Sequence, residues 1–199
     1  MADTVEGRLL GDEYRRSVDQ IDTELDNFRA SMTWALEHGQ TELALRTAAG
    51  LGRFWFFRAL YREGREWLER AVAACAGVTS PHMATALGWI AVIGLHMGDY
   101  ARAEETSHAA VAMFEEIGDA AGAMQERNSL ANTYLASGRV EQARAIYDED
   151  SAYIHERGDN FAHVPMINRA MVAGWQGDVR TAADLIERHY EYADRLDNP

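Results

Sequence analysis

The residues of this chain with chemistry to offer are seven histidines, one cysteine and a few acid clusters. His38, His82, His96, His108, His155, His163 and His189 nowhere fall at His-x-x-x-His or His-Glu-x-x-His spacing. Those are the spacings that bring two imidazoles onto one helix face to hold a metal. Cys75 is the only cysteine, so no intramolecular disulfide is available, and its apolar setting Ala71-Val72-Ala73-Ala74-Cys75 predicts a buried, inert thiol. Glu115-Glu116 and Asp148-Glu149-Asp150 read as solvated helix faces, since paired-carboxylate catalysis needs a pocket that no pattern here announces. Gly50-Leu51-Gly52 is too short to cradle a phosphate. A Gly-x-x-x-x-Gly-Lys-Ser/Thr loop is ruled out, because all 19 basic residues are arginine. The expectation is a non-enzyme with no metal and no cofactor.

Charge narrows the partners. The 199 residues carry a net −13, distributed as −5 over residues 1–40, +2 over 41–76 and −10 over 77–199. So acidic a surface repels nucleic-acid phosphates and anionic lipid, which argues against direct DNA, RNA or membrane binding. The N-terminus lacks a basic region followed by an apolar core, and no apolar run reaches membrane-spanning length, so a cytoplasmic location is expected.

The elements that must position any site are set by a repeat. Met97-Gly98-Asp99-Tyr100-Ala101-Arg102-Ala103 returns as Ser137-Gly138-Arg139-Val140-Glu141-Gln142-Ala143 and as Gln176-Gly177-Asp178-Val179-Arg180-Thr181-Ala182, with a weaker copy at Ala59 and Gly64. Glycine ends a helix by adopting φ > 0, and a small residue five positions on lets the returning helix pack close. Gly52, Ala91, Ala131 and Ala170, seven residues before each turn, are small as well, and are expected to face the small residue of the return helix. A period near 40 residues predicts an all-α solenoid of helical hairpins. Residues 1–11 read as a flexible leader and 12–199 as one helical-repeat domain. Its parts are an N-terminal helix 13–38 capped by Asp12, then hairpins 41–76, 81–117, 120–157 and 160–196. Ser80-Pro81 is a helix-start signal, and Gly118-Asp119, Gly158-Asp159 and Leu196-Asp197 mark stops between hairpins. Pro165 requires the last first helix to start late or kink. Trp34, Trp67 and Trp89 are expected in the core, and Trp55 at an inward packing position.

The pattern resembles the tetratricopeptide repeat, in a long-helix form, which implies a right-handed α–α superhelix. Glu24-Leu25-Asp26-Asn27-Phe28-Arg29-Ala30, Trp34-Ala35-Leu36-Glu37-His38-Gly39, Arg53-Phe54-Trp55-Phe56-Phe57-Arg58-Ala59 and Glu63-Gly64-Arg65-Glu66-Trp67-Leu68-Glu69-Arg70-Ala71 look more closely like the repeat region of LuxR-type and antibiotic-regulator-type bacterial signalling ATPases. Ala59 departs from that pattern, where glycine is usual. The nucleotide-binding loop and a basic helix-turn-helix segment are missing, so the likeness implies the sensor and interaction part of such a regulator, either excised or stand-alone.

In tetratricopeptide repeats the first helix of each pair lines a concave groove. Counting from each turn residue, that register gives Arg46, Ala49, Arg53, Phe56 and Phe57, then Thr85, Gly88, Val92, Leu95 and His96. It continues with Gln125, Asn128, Asn132, Leu135 and Ala136, then Val164, Ile167, Met171, Gly174 and Trp175. The set holds arginines and carboxamides and no acid. It suits a peptide or protein partner, with Arg46 and Arg53 on a carboxylate and Asn128 and Asn132 on extended backbone. The alternative is a small-molecule effector in a closed pocket near Phe56, Phe57, His96 and Trp175. Ala182, Leu185, Ile186, His189, Tyr190 and Ala193 read as the inward stripe of the last helix. With no polar cap after it, either homodimerisation through the C-terminal hairpin or fraying beyond residue 178 is expected.

Overall fold

The computed structural model describes residues 12–157 and 163–197, and every regular element among them is an α-helix. The helices are α1 (Asp12–Glu37), α2 (Thr41–Phe57), α3 (Tyr61–Ala74), α4 (Pro81–His96), α5 (Tyr100–Glu116), α6 (Ala120–Ala136), α7 (Val140–Arg157), α8 (His163–Trp175) and α9 (Val179–Asp197). The leader 1–11 and the Gly158-Asp159 stop lie outside the described residues, whereas Leu196-Asp197 is still helical and forms no turn. Pro165 is the third residue of α8, where its missing N–H has no intrahelical partner to lose.

The turns repeat at the level of single hydrogen bonds. Gly39, Gly98, Gly118, Gly138 and Gly177 all have φ between 70° and 80° or just above. At the turn after α4, Gly98 N–H donates to Leu95 C=O and Asp99 N–H donates to Gly94 C=O. The same pair of bonds recurs after α1, α2, α5, α6 and α8, so the last carbonyls of six helices are satisfied identically. Asp99, Asp119 and Asp178 then accept a backbone N–H from the first turn of the following helix. Ser80 caps α4 in the same way, with Pro81 at its first position.

Ala59 is the single non-glycine residue with positive φ among the described residues, at 55°. A Cβ in the left-handed region is disfavoured by about 1–2 kcal/mol. Glycine escapes that cost but gives back part of the gain through its larger unfolded-state entropy. Ala59→Gly is therefore expected to stabilise the fold by about 1 kcal/mol, read as a higher urea midpoint with an unchanged slope. A lower midpoint would show that the turn has relaxed around the methyl group.

Each hairpin packs on the next, and the first helices also meet directly, α2 on α4 and α4 on α6. One core joins the inner faces of α1 to α5, with Trp55, Leu45, Leu68, Ile90 and Ile93 all fully buried. A second core joins α6, α7 and α8 around Leu130, Tyr147 and Val172. Between them, among the described residues, lies the small cluster Ala84, Phe114 and Ala123. Ion pairs cross successive outer helices at near-constant spacing: Arg29–Glu63 at 2.7 Å, Arg65–Asp99 at 3.2 Å and Arg139–Glu104 at 2.9 Å. Such half-exposed pairs fix register more than they add stability.

In the first hairpin the two small residues, Gly52 and Gly64, each abut a tryptophan instead of facing one another as expected. A Cβ on Gly52 would lie under 3.0 Å from the Trp89 indole of the next hairpin, and one on Gly64 would meet Trp55 as closely. Each glycine thus makes room for a tryptophan. Trp34 is 51% exposed, against the expectation of a core residue, and stacks on His38 at 4.7 Å.

Candidate interaction groove

The four first helices α2, α4, α6 and α8 meet in sequence, and each meeting has its own chemistry. Between α2 and α4 it is aromatic. Phe56 stands edge-on to His96 at 4.8 Å and lies 6.1 Å from both Trp89 and Tyr61, with Phe57 completing the cluster at 5.3 Å. Arg53 lies over the Phe57 ring at 5.5 Å. On α2, Arg46, Gly50, Arg53 and Phe57 fall at i, i+4, i+7 and i+11 and are all exposed, a single stripe on the helix.

Between α4 and α6 the contact is a carboxyl on a glycine. Glu126 is only 6% exposed, and its side chain occupies the space a Cβ on Gly88 would need. One of its oxygens, Oε2, is buried with no hydrogen-bond partner. Burial pushes its pKa up to about 7, with no charged neighbour to offset it. The adjacent Arg127 is committed elsewhere, to Asp150 at 2.8 Å and Glu149 at 2.6 Å.

Between α6 and α8 the contact is carboxamide on carboxamide: Asn168 donates to the Asn128 Oδ1. One turn on, the Tyr147 hydroxyl donates to the Asn132 Oδ1 at 2.8 Å, and burial drives that phenol's pKa well up. Both asparagines therefore hold the scaffold through their carbonyls and have their amide N–H groups to offer. Gln125 beside them is exposed. Asp148 pairs with Arg169 at 2.8 Å, and Asp150 is only 5% exposed. The acidic run on α7 is thus partly a clasp, and burial holds Asp150 above the usual carboxylate range despite Arg127.

On α8, Ile167, Met171 and Trp175 stand four residues apart and are 46%, 40% and 62% exposed, an open apolar stripe. Val164 lies outside the residues whose side chains are described. Ala49, Gly88 and Leu135 are buried, so these groove-register positions serve packing instead. The structure brings Phe56, Phe57 and His96 together, while Trp175, two hairpins on, shares no ring contact with them. A cleft of about 520 Å³ opens beside His96, lined by Ala59, Leu60, Tyr61, Arg62, Glu63 and Met97. Its neighbour of about 650 Å³ lies against α3, with Arg62, Arg65 and Arg70 interleaved by Glu66 and Glu69. Among the described residues no group of three His, Cys, Asp or Glu could hold a metal ion, and no helix is long and apolar enough to cross a membrane.

Glu126 is the residue that sequence reasoning passed over, although a signal existed. Twelve positions before each turn residue stand Thr47, Ala86, Glu126 and Pro165, and Ala86 is fully buried. An acid in that register announces a buried carboxyl.

This arrangement has close geometric relatives. BtubC from P. vanneervenii superposes with a TM-score of 0.75 over 92% of this chain and 79% of its own, at 19% identity. A Rap protein complexed with competence and sporulation factor superposes at 0.69 over 88% of this chain and 52% of its own, at 10% identity. The fold is that of the tetratricopeptide-like helical repeats. In sequence, HTH-type transcriptional regulators of Mycobacterium bovis and Mycobacterium tuberculosis are 31% identical over 68% of this chain. The match spans only 16% of their length. No protein-family model matches the sequence.

Proposed function

We propose that this chain is a non-catalytic interaction module of a bacterial transcriptional regulator, one that takes an extended peptide or partner segment along its first helices. The observation that carries the reading is the row of exposed and half-buried groove-register side chains on α2, α6 and α8. It runs from cationic and aromatic (Arg46, Arg53, Phe57) through carboxamide (Gln125, Asn128, Asn132) to apolar (Ile167, Met171, Trp175). Such a gradient suits a segment with an acidic group at one end and an apolar anchor at the other. The fold shared with a Rap protein complexed with competence and sporulation factor and the likeness to regulators of far greater length support it. The finer likeness to LuxR-type ATPases, read from residues 24–71, belongs to the same proposal.

A displayed-peptide library selected on the purified chain tests it. Selected peptides are expected to lose about tenfold or more in affinity with Trp175→Ala or Arg46→Glu, and to be indifferent to Arg70→Ala on α3. Peptides that ignore both groove substitutions would sink the assignment. A second reading, a small-molecule effector, is favoured by the cleft beside His96, whose volume is that of a ligand site. A metabolite that raises the melting temperature of the wild type and not of His96→Ala would select it.

A further inference from the structure

The last return helix keeps open a face that every earlier return helix covers. Nine residues after the turn residue stand Leu68, Ser107, Tyr147 and Ile186. The first three are 0%, 0% and 1% exposed, and Ile186 is 45% exposed. Thirteen residues after it, Val72, Val111 and Ser151 are half-buried, whereas Tyr190 is 67% exposed. Val179, Ala183, Ile186 and Tyr190 fall at i, i+4, i+7 and i+11, so they form one stripe on α9. Leu185, 4% exposed, marks the side that packs inward, and Ile186 and Tyr190 do not belong to it, contrary to the sequence expectation. Tyr192 and Ala193 lie outside the residues whose side chains are described.

The charges beside the stripe indicate what covers it. At 100° per residue, Arg180 and Glu187 flank the stripe on the same side, seven positions apart and symmetric about its centre near Ala183. Neither makes an ion pair within 4.0 Å with a described residue, whereas Asp184 and Arg188, on the far side, pair with each other. Two copies of this helix laid antiparallel would set Arg180 against Glu187 of the other copy twice over, with the small Ala183 at the crossing. A parallel arrangement would set this flank against the Ala182 and His189 flank of the other copy, where no carboxylate or guanidinium answers it. We propose that this face of α9 is a homodimer interface, in which a second copy packs antiparallel about a twofold axis near Ala183. It lies on a return helix, apart from the groove register, so dimerisation and segment binding are separable.

Sedimentation equilibrium on the full chain from about 5 to 500 µM reads the result. A concentration-dependent dimer is expected, abolished by Ile186→Glu and independently by Tyr190→Arg, both at exposed positions, with the helical signal retained. Arg180→Glu is expected to weaken the dimer by roughly tenfold, and the double change Arg180→Glu with Glu187→Arg to restore it to within about threefold. A monomer at every concentration overturns the proposal and leaves the face to a following hairpin or another protein. So does a dimer that neither Ile186→Glu nor Tyr190→Arg disturbs. Weakening by Arg180→Glu that Glu187→Arg deepens overturns the antiparallel register.

Discussion

Replacing Glu126 by glutamine is expected to stabilise the chain at pH 8 by about 3 kcal/mol and at pH 5 by less than about 1 kcal/mol. The acid is raised from 4.5 to about 7 on folding, and each unit corresponds to about 1.36 kcal/mol. The sign follows from proton counts. Between pH 4.5 and 7 the folded state holds a proton that the unfolded state has released, so wild-type stability falls as pH rises through that window. Above about 7 the full penalty of a buried, unpaired carboxylate is present. Glutamine keeps the shape against Gly88 and has no charge to bury, so its profile over the window is flat. Urea unfolding at pH 5, 6, 7 and 8, followed by far-ultraviolet circular dichroism, distinguishes the cases. An equal gain at pH 5 and pH 8 would mean that the side chain acts through packing alone. Below pH 4.5 the trend reverses, because Glu104 and Asp178, held low by Arg139 and by Thr181, lose their partners as they protonate.

The effect is expected to be local before it is global. Glu126 sits at the seam where the apolar core thins to Ala84, Phe114 and Ala123, between the larger cores on either side. In a solenoid, stability is a sum over hairpins and their interfaces, so a destabilised seam opens before its neighbours. Amides of α4 and α6 in the wild type are thus expected to gain exchange on moving from pH 6 to pH 8 beyond the intrinsic rate change. In Glu126→Gln they are expected to show only the intrinsic change.

The sequence made the architecture legible for a physical reason. Left-handed turns demand glycine, and Gly98, Gly118, Gly138 and Gly177 stand where that demand recurs. The aspartates after them cap helices because their side chains reach the free N–H groups of the next turn. What could not be read was which residue each small side chain admits. Gly52 and Gly64 are spaced for a mutual contact, and instead each accepts an indole from elsewhere, because a tryptophan fills more of the gap than a second small residue. Nor does composition distinguish a solvated acid from a clasped one: Asp148, Glu149 and Asp150 look alike in a row, and only the arginines of neighbouring helices separate them. In the groove, the polar types at Asn128 and Asn132 were legible, but not that their carbonyls hold Asn168 and Tyr147, which come from 40 and 15 residues away.

Gly50 and Gly52 give the sharpest test of the packing, because the same substitution at the two sites is expected to have opposite signs. Both lie within α2, where alanine is favoured over glycine by about 1 kcal/mol. Gly50 is exposed, and a Cβ there meets nothing within 4 Å, so Gly50→Ala is expected to keep that gain. At Gly52 the same methyl group would drive into the Cγ, Cδ1 and Nε1 of Trp89, atoms of a rigid ring close to its own backbone. The ring cannot swing clear without disturbing Phe56, which lies 6.1 Å from it, and through Phe56 the contact with His96. Overpacking of this kind costs about 1–3 kcal/mol, so Gly52→Ala is expected to destabilise by about 2 kcal/mol after the helix gain is counted. Trp89→Ala should remove the obstacle. In that background Gly52→Ala is expected to become as stabilising as Gly50→Ala, a coupling of about 3 kcal/mol in a double-mutant cycle. If Gly52→Ala stabilises the chain with Trp89 in place, the seam between the first two hairpins is looser than its geometry requires, and Trp89 is not the side chain that sets it.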